Sequence, residues 1–218
     1  GGSCLQPDIQ RPWLANYPNG VPATIDPDTY RSAVELLEEA FTRYASREVA
    51  VCLGRAMTYR ALDELSASFG AWLQSRGLAK GARVAIMMPN VLQYPVALAA
   101  VLRAGCTVVN VNPLYTPREL EHQLNDSGAQ AIVVLENFAT TLEEVIARTN
   151  VRHVVLTGMG DLLGFWKGRF VNFAVRHFKK MVPEFRLPLG EGHTATQFAV
   201  ACDEGSRLSL RRVDMKPD

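Results

Sequence analysis

The sequence predicts an α/β protein with a doubly wound, mainly parallel sheet and helices on both faces. Four short, mostly apolar runs recur through the middle of the chain, at 83–88, 107–111, 131–135 and 153–157, and segments with helical periodicity lie between them. Strands buried on both faces show continuous apolar runs, and intervening helices form the crossovers of a parallel sheet. An extended N-terminal arm and a small hairpin are expected before this sheet.

Composition predicts a folded, cytoplasmic protein and excludes several classes of function. Of 218 residues, 48% are hydrophobic, which is enough to build a core. The 23 basic and 22 acidic residues nearly cancel, so no global field attracts nucleic acid. The four cysteines are far apart and form no C-x-x-C pair, which argues against a zinc site. No apolar run reaches the roughly 18 residues of a membrane span.

The N-terminal part of the chain divides into an arm, a helix and a hairpin. Residues 1–30 are assigned to the arm, because its second half is rich in Pro, Asn and Gly. A helix is predicted over 32–46, started by a capping box of Ser32 and Glu35. Two β-prone runs, 49–53 and 56–59, are separated by Gly54 and Arg55 and indicate a tight hairpin.

Capping signals predict where the remaining helices begin and end. Helices are expected over 60–76, 92–104, 117–125 and 140–148, with Gly77, Gly105 and Gly128 as terminators and Thr116 as an N-cap. Beyond Pro188, scattered glycines and polar residues predict loops with a short helix over 196–202. Residues 31–218 are therefore assigned to one α/β subdomain.

The residues themselves predict no catalytic or metal site in this chain. Neither G-x-G-x-x-G nor G-x-x-x-x-G-K-[ST] occurs, and Gly158-Met159-Gly160 is interpreted as a turn. The four histidines stand apart, without a neighbouring Ser or Cys nucleophile and an orienting carboxylate.

A basic and aromatic segment follows Asp161. No acidic residue occurs between Asp161 and Glu184, and helical spacing separates a basic arc from an aromatic arc. The residues expected to face a membrane are Trp166, Arg169, Phe170, Phe173, Arg176, Lys179 and Lys180. This pattern is typical of a helix lying in an anionic membrane interface. The alternative is that the aromatic residues pack on the α/β body while the basic face is solvated.

Several motifs together resemble the adenylate-forming superfamily. Residues 57–62 (MTYRAL) resemble its first core motif, L-T-Y-x-x-L, and residues 101–113 (VLRAGCTVVNVNP) are similar to its second. Residues 89–96 (PNVLQYPV) and 112–129 (NPLYTPRELEHQLNDSGA) resemble the bacterial long-chain fatty acid CoA ligases in particular. The resemblance covers nearly the whole chain after the arm.

This resemblance implies an acid–thiol ligase. Such enzymes use Mg-ATP to convert a fatty acid to an acyl-adenylate and pyrophosphate, and then transfer the acyl group to coenzyme A. In the family, the phosphate loop, the adenine and ribose motifs and the catalytic lysine all follow the region present here. The chain is therefore expected to be the N-terminal part of such an enzyme, truncated before the phosphate loop and inactive by itself.

The resemblance also suggests one binding loop and several partners. Asn112, Leu114, Tyr115 and Thr116 match a loop that borders the coenzyme A channel in relatives, although a simple tight turn would explain them as well. A fatty acid substrate, an anionic membrane surface and a homodimer are the expected partners. Two alternatives stay open: another acyl- or aryl-CoA ligase of the superfamily, and a noncatalytic lipid-binding or assembly module.

Overall fold

A computed structural model of the chain describes residues 27–52, 55–159, 161–162 and 193–213. The helices are α1 (Pro27–Arg43), α2 (Tyr59–Ser75), α3 (Gln93–Arg103), α4 (Pro117–Ser127), α5 (Ala139–Val145) and α6 (Phe198–Ser206). The strands are β1 (Glu48–Cys52), β2 (Arg55–Thr58), β3 (Arg83–Met87), β4 (Thr107–Asn110), β5 (Ala131–Leu135), β6 (His153–Thr157) and β7 (Thr194–Gln197). Short 3-10 turns, Glu136–Phe138 and Ile146–Arg148, flank α5.

The main sheet is parallel and doubly wound, as predicted. Its strand order is β4-β3-β5-β6-β7, and each neighbouring pair is parallel. The chain passes from β3 to β4 on one side and then to β5 on the other side, so the winding reverses beside β3. Strands β1 and β2 form a separate antiparallel hairpin, which confirms the small hairpin predicted from Gly54 and Arg55.

Each face of the sheet carries its own hydrophobic core. Side chains alternate along β3, so that Val84 and Ile86 join one core while Ala85 and Met87 join the other. Helices α2, α3 and α6 cover the first face, and α4 and α5 cover the second. Every residue of β5 is buried, which explains its unbroken apolar sequence.

Local capping explains the start of α2 and both ends of α4, whereas α3, α5 and α6 begin without a side-chain cap. The Thr58 hydroxyl accepts the Ala61 N–H at 3.2 Å at the start of α2. Gly128 closes α4 with φ 68°, a left-handed conformation that glycine adopts without strain. Several helix ends differ from their predictions, and the largest difference is at α1, which begins at Pro27 and not at Ser32. Proline suits the first turn of a helix, where its missing N–H has no partner to lose, so the Ser32–Glu35 capping box was wrong.

The region after residue 192 is more ordered than predicted. Residues 194–197 form β7 at the edge of the sheet, where loops had been expected, and α6 extends to Ser206. Strand β7 (TATQ) is short and largely exposed, so it lacks the apolar run that marks the inner strands.

The C-terminal strap, defined here as residues 207–213, packs back on α2 and on the turn that follows α3. The Gln74 side chain binds both backbone groups of Arg211: Nε2 donates to the carbonyl at 2.8 Å and Oε1 accepts the N–H at 2.9 Å. The Gln74 side chain thus pairs with the Arg211 backbone as a neighbouring β-strand would, and it holds this irregular segment against α2.

Candidate functional site

The carboxyl edge of the sheet is where a doubly wound fold places its ligands. The strands β3, β4, β5 and β6 all end there, and the winding reverses beside β3. Reversal leaves a crevice between loops that turn to opposite faces. The loop of residues 110–116, here called the edge loop, joins β4 to α4 and borders this crevice.

Backbone and side-chain hydrogen bonds fix the shape of the edge loop. The Val111 N–H donates to the Ile86 carbonyl at 2.9 Å, which continues the pairing of β4 with β3. The Asn112 side-chain oxygen accepts the Leu114 N–H at 2.9 Å, and the Asn112 carbonyl accepts the Tyr115 N–H at 3.1 Å. Asparagine thus nucleates a tight turn through its own side chain.

Thr116 ends the edge loop by capping α4. Its hydroxyl oxygen accepts the Glu119 N–H at 3.3 Å, while a Glu119 carboxylate oxygen accepts the Thr116 N–H at 3.3 Å and its hydroxyl at 3.0 Å. This is a complete capping box, followed by Pro117 in the first turn. The predicted N-cap is therefore confirmed.

The edge loop presents one apolar side chain to solvent. Leu114 is 83% exposed, whereas Tyr115 is half-buried against the core on the second face. Asn112 and Thr116 are exposed at the surface, although both use their side chains locally. None of these four side chains is an acid or a base at neutral pH, so the loop is suited to contact a ligand and not to transfer protons.

Two further residues support the edge loop and were missed in the sequence. The Tyr94 hydroxyl donates to the Asn110 side-chain oxygen at 2.8 Å, and the Gln123 amide donates to the Asn110 carbonyl at 2.9 Å. Helices α3 and α4, on opposite faces of the sheet, thus converge on the last residue of β4. In the sequence, the only sign of this support was Tyr94, near the start of the helix predicted over 92–104.

A network of buried hydrogen bonds holds the end of β6, and this network was not predicted from the sequence. Gln93 is 1% exposed, and its amide donates to the Thr157 hydroxyl oxygen at 3.0 Å and to the Gly158 carbonyl at 2.6 Å. The Thr157 hydroxyl and the Gly158 N–H both donate to the Asp161 carboxylate, at 2.9 and 2.8 Å. These hydrogen bonds fix the turn predicted at Gly158. They are rigid because a buried polar group is costly to leave unpaired.

The buried cysteines are poor nucleophiles. Burial raises the pKa of the Cys106 thiol to about 11 and that of Cys202 to about 12. A thiol must ionise to attack, so both stay inert near neutral pH. Among the described residues, no group of three or more His, Cys, Asp or Glu side chains is placed to hold a metal ion.

The residues predicted to face a membrane lie outside the described residues. Trp166, Arg169, Phe170, Phe173, Arg176, Lys179 and Lys180 all fall between the described ranges 161–162 and 193–213. Within the described ranges, no helix has both the length and the apolar character that crossing a bilayer requires.

The chain is similar to a large group of known enzymes. Residues 37–184 match the family model described as AMP-binding enzyme. A long-chain-fatty-acid–CoA ligase of Salmonella typhimurium is 56% identical over 92% of this chain, and one of Yersinia pestis is 53% identical over 96%. These alignments cover 35% and 36% of the two relatives, so the chain spans about a third of their length.

Solved structures share the fold at lower sequence identity. A long-chain-fatty-acid–CoA ligase from Archaeoglobus fulgidus superimposes with a TM-score of 0.60 at 19% identity, covering 84% of this chain and 32% of that one. A luciferase-like enzyme from Zophobas morio gives 0.59 at 19% identity, over 83% of this chain and 37% of that one. At 19% sequence identity, this similarity shows a shared fold, that is, the same arrangement of helices and strands.

Proposed function

This chain belongs to the AMP-binding enzyme family, and we propose that it is the N-terminal part of an ATP-dependent long-chain fatty acid CoA ligase. The observation that carries the proposal is the 56% identity to a ligase of that name over 92% of the chain. The order of the motifs at 57–62 and 101–113 supports the N-terminal placement.

The proposed reaction has two steps. The fatty acid carboxylate attacks the α-phosphorus of ATP, forming an acyl-adenylate and releasing pyrophosphate. The coenzyme A thiolate then attacks the acyl carbon and AMP leaves with the bonding electrons, giving the thioester. Adenylation replaces a poor leaving group with a good one before thiol attack. In the family that this chain resembles, the phosphate loop follows the region present here, and we therefore propose that ATP and Mg²⁺ bind in that following part of the whole enzyme.

The test compares the whole gene product with the 218-residue chain. We expect ATP- and coenzyme A-dependent consumption of palmitate by the former and none by the latter. Octanoate and 4-coumarate, assayed in parallel, discriminate medium-chain and aryl-CoA ligases from a long-chain one. A whole product that activates none of the three acids would contradict the ligase proposal and favour the noncatalytic binding or assembly module. We place the enzyme in the cytoplasm, in line with its bacterial relatives.

We also propose that the edge loop borders the coenzyme A channel. Three features support this: its position at the carboxyl edge, its fixed turn, and the exposed Leu114 at its tip. A rigid apolar border suits the slender, largely uncharged pantetheine arm of coenzyme A. Because the loop is already ordered, it loses little conformational entropy when the ligand binds. The channel role therefore needs Leu114 and Tyr115 as contacts, and Asn112 and Thr116 as the residues that hold them.

Kinetics of the whole enzyme test this assignment. Leu114→Ala should raise the KM for coenzyme A several-fold, with the KM for ATP unchanged, because only ligand contact is lost. Leu114 is so exposed that its removal costs little folding stability, unlike Tyr115→Ala. Leu208→Ala is the matched control, since Leu208 is 48% exposed on the strap. An unchanged KM for coenzyme A in both Leu114→Ala and Tyr115→Ala would refute the channel assignment.

A third proposal concerns the basic and aromatic segment at 162–182. Its sequence pattern supports contact with anionic lipid, which would place the enzyme near its fatty acid substrate. Liposome sedimentation should depend on the fraction of anionic lipid. The dependence should vanish when Arg169, Arg176, Lys179 and Lys180 are replaced by Gln, but persist when Arg207, Arg211 and Arg212 are replaced. Equal sedimentation of both variants would contradict the lipid proposal.

A homodimer is proposed as well. Light scattering that shows a clean monomer at high protein concentration would refute the homodimer.

A further inference from the structure

A pocket of about 410 Å³ lies at the amino edge of the sheet, opposite the edge loop. It is formed where β5, β6 and β7 begin and where α2 ends. Its polar lining includes Arg76, Arg152, His153 and His193. Among the described residues that line it there is no Asp or Glu, and two guanidinium groups and two imidazoles share one cavity.

The two arginines differ in how firmly they are held. The Arg76 guanidinium lies 4.8 Å from the centre of the Trp72 ring and donates to a Glu204 carboxylate oxygen at 3.0 Å. The same Glu204 oxygen accepts the Trp72 indole N–H at 2.9 Å. Arg76 is therefore oriented before any ligand arrives, while Arg152 is exposed at the rim.

The imidazoles are also fixed by hydrogen bonds. His193 Nδ1 lies 2.8 Å from the Val151 carbonyl, and His153 Nδ1 lies 3.0 Å from the Thr194 hydroxyl oxygen. Because a carbonyl only accepts, Nδ1 of His193 is the donor in its contact with Val151, and the position of this ring is thereby fixed.

The potential in the pocket is positive despite the nearby carboxylate. Burial lowers the pKa of His153, and the charges of Arg76 and Arg152 lower it further. Glu204 contacts Arg76, and no acidic group among the described residues counteracts the lowering of the His153 pKa. An anion entering the pocket would relieve this repulsion at His153, and it would favour the protonated imidazole of that residue, which could then donate to the anion.

We propose that this pocket binds a phosphate dianion, either inorganic phosphate or a phosphomonoester, through Arg76, Arg152, His153 and His193. Two guanidinium groups and two imidazoles match the several acceptor oxygens of such a dianion. The cavity is roomy enough for a larger group attached to the phosphate. This site is independent of the ligase proposal, since it uses the opposite edge of the sheet.

Histidine resonances of the 218-residue chain test the proposal. Inorganic phosphate is titrated at constant ionic strength, with chloride as the balancing ion, while NMR follows the imidazole C–H signals. The signals of His153 and His193 should shift with saturation, and the apparent pKa of His153 should rise by about half a unit or more. His122, exposed on α4, is the internal reference and should not saturate.

Matched arginine variants separate binding from screening. Arg152→Gln should weaken phosphate binding about fivefold, because one charge-assisted contact at an exposed rim is lost. Arg148→Gln removes an equally charged, exposed arginine that pairs with Glu121, and it should change nothing. Linear shifts, a saturable His122 response, or equal effects of the two variants would overturn the proposal.

A second experiment, with lipid vesicles, shows whether the bound phosphate belongs to a lipid headgroup or to a soluble molecule. Vesicles containing phosphatidic acid present a phosphomonoester, whereas vesicles with equal phosphatidylglycerol present only a phosphodiester. A preference for phosphatidic acid over phosphatidylglycerol that is reduced about fivefold in Arg152→Gln would assign the pocket to a lipid headgroup. Saturation by inorganic phosphate without such a preference would assign it to a soluble ligand. Failure of both arms overturns the site.

Discussion

Replacing Gly205 with alanine should destabilise the fold through a backbone collision. Gly205 is buried on α6, where that helix crosses α2. A Cβ at this position would lie 1.8 Å from the Ser68 carbonyl oxygen and 2.7 Å from its carbon. Real Cβ atoms keep about 3 Å from such an oxygen, so the two helices would have to separate by more than an ångström.

The magnitude follows from two opposing effects. Overpacking a core costs roughly 1–3 kcal/mol, and the upper end applies here because the obstacle is backbone and not a flexible side chain. Alanine in place of glycine inside a helix returns about 1 kcal/mol. The net loss in free energy of unfolding is then about 2 kcal/mol, or roughly 4–8 °C in Tm for a chain of this size.

Urea denaturation followed by far-UV circular dichroism measures this loss. Val200→Ala is the matched control, because Val200 lies on the same helix with 47% of its surface exposed. It should change the free energy of unfolding by less than about 0.5 kcal/mol. A Gly205→Ala protein as stable as the wild type would show that α2 and α6 do not approach as closely as described.

Three further perturbations test other parts of the structure. Thr116→Ala removes the capping box of α4 and should cost about 1 kcal/mol by urea denaturation, whereas Thr116→Ser should cost little; equal losses in both would contradict the capping role. Gln74→Ala should release the strap, so that hydrogen exchange at the Arg211 amide accelerates on the order of tenfold, while exposed Gln197→Ala leaves it unchanged. Iodoacetamide at pH 8 should label Cys106 and Cys202 very slowly in the native protein, because pKa values of about 11 and about 12 leave roughly a thousandth or less of each thiol ionised. Labelling should accelerate as the pH rises or when urea is added, and rapid labelling of the native protein, seen by peptide mass spectrometry, would refute their burial.

The sequence was sufficient to predict the inner part of the sheet. Strands β5 and β6 have the predicted bounds, because their unbroken apolar runs fit only a strand covered on both faces. Helix ends marked by Thr116 and Gly128 were equally predictable, since a cap is a local interaction between residues close in the chain.

Features that depend on distant contacts were not predictable. Strand β7 is identified by its pairing with β6 and not by its own polar sequence. The Gln93 side chain meets Thr157 across 64 positions of sequence, and Gln74 meets Arg211 across 137. At the N-terminal end, α1 begins at Pro27 although Ser32 offered a plausible cap, and proline is equally suited to the first turn of a helix.

The polar side chains at the carboxyl edge point to a positioning role for this part of the enzyme. Gln93 and Asp161 each bind the Thr157 hydroxyl and the backbone of Gly158. Thr116 and Glu119 bind each other across the first turn of α4. Groups already engaged in this way hold loops in place and are poor candidates for proton transfer. Substitutions along this edge should therefore alter ligand KM and folding stability more than the chemical step. A variant such as Gln93→Leu that reduced single-turnover acyl-adenylate formation with unchanged stability and unchanged KM values would refute that division of roles.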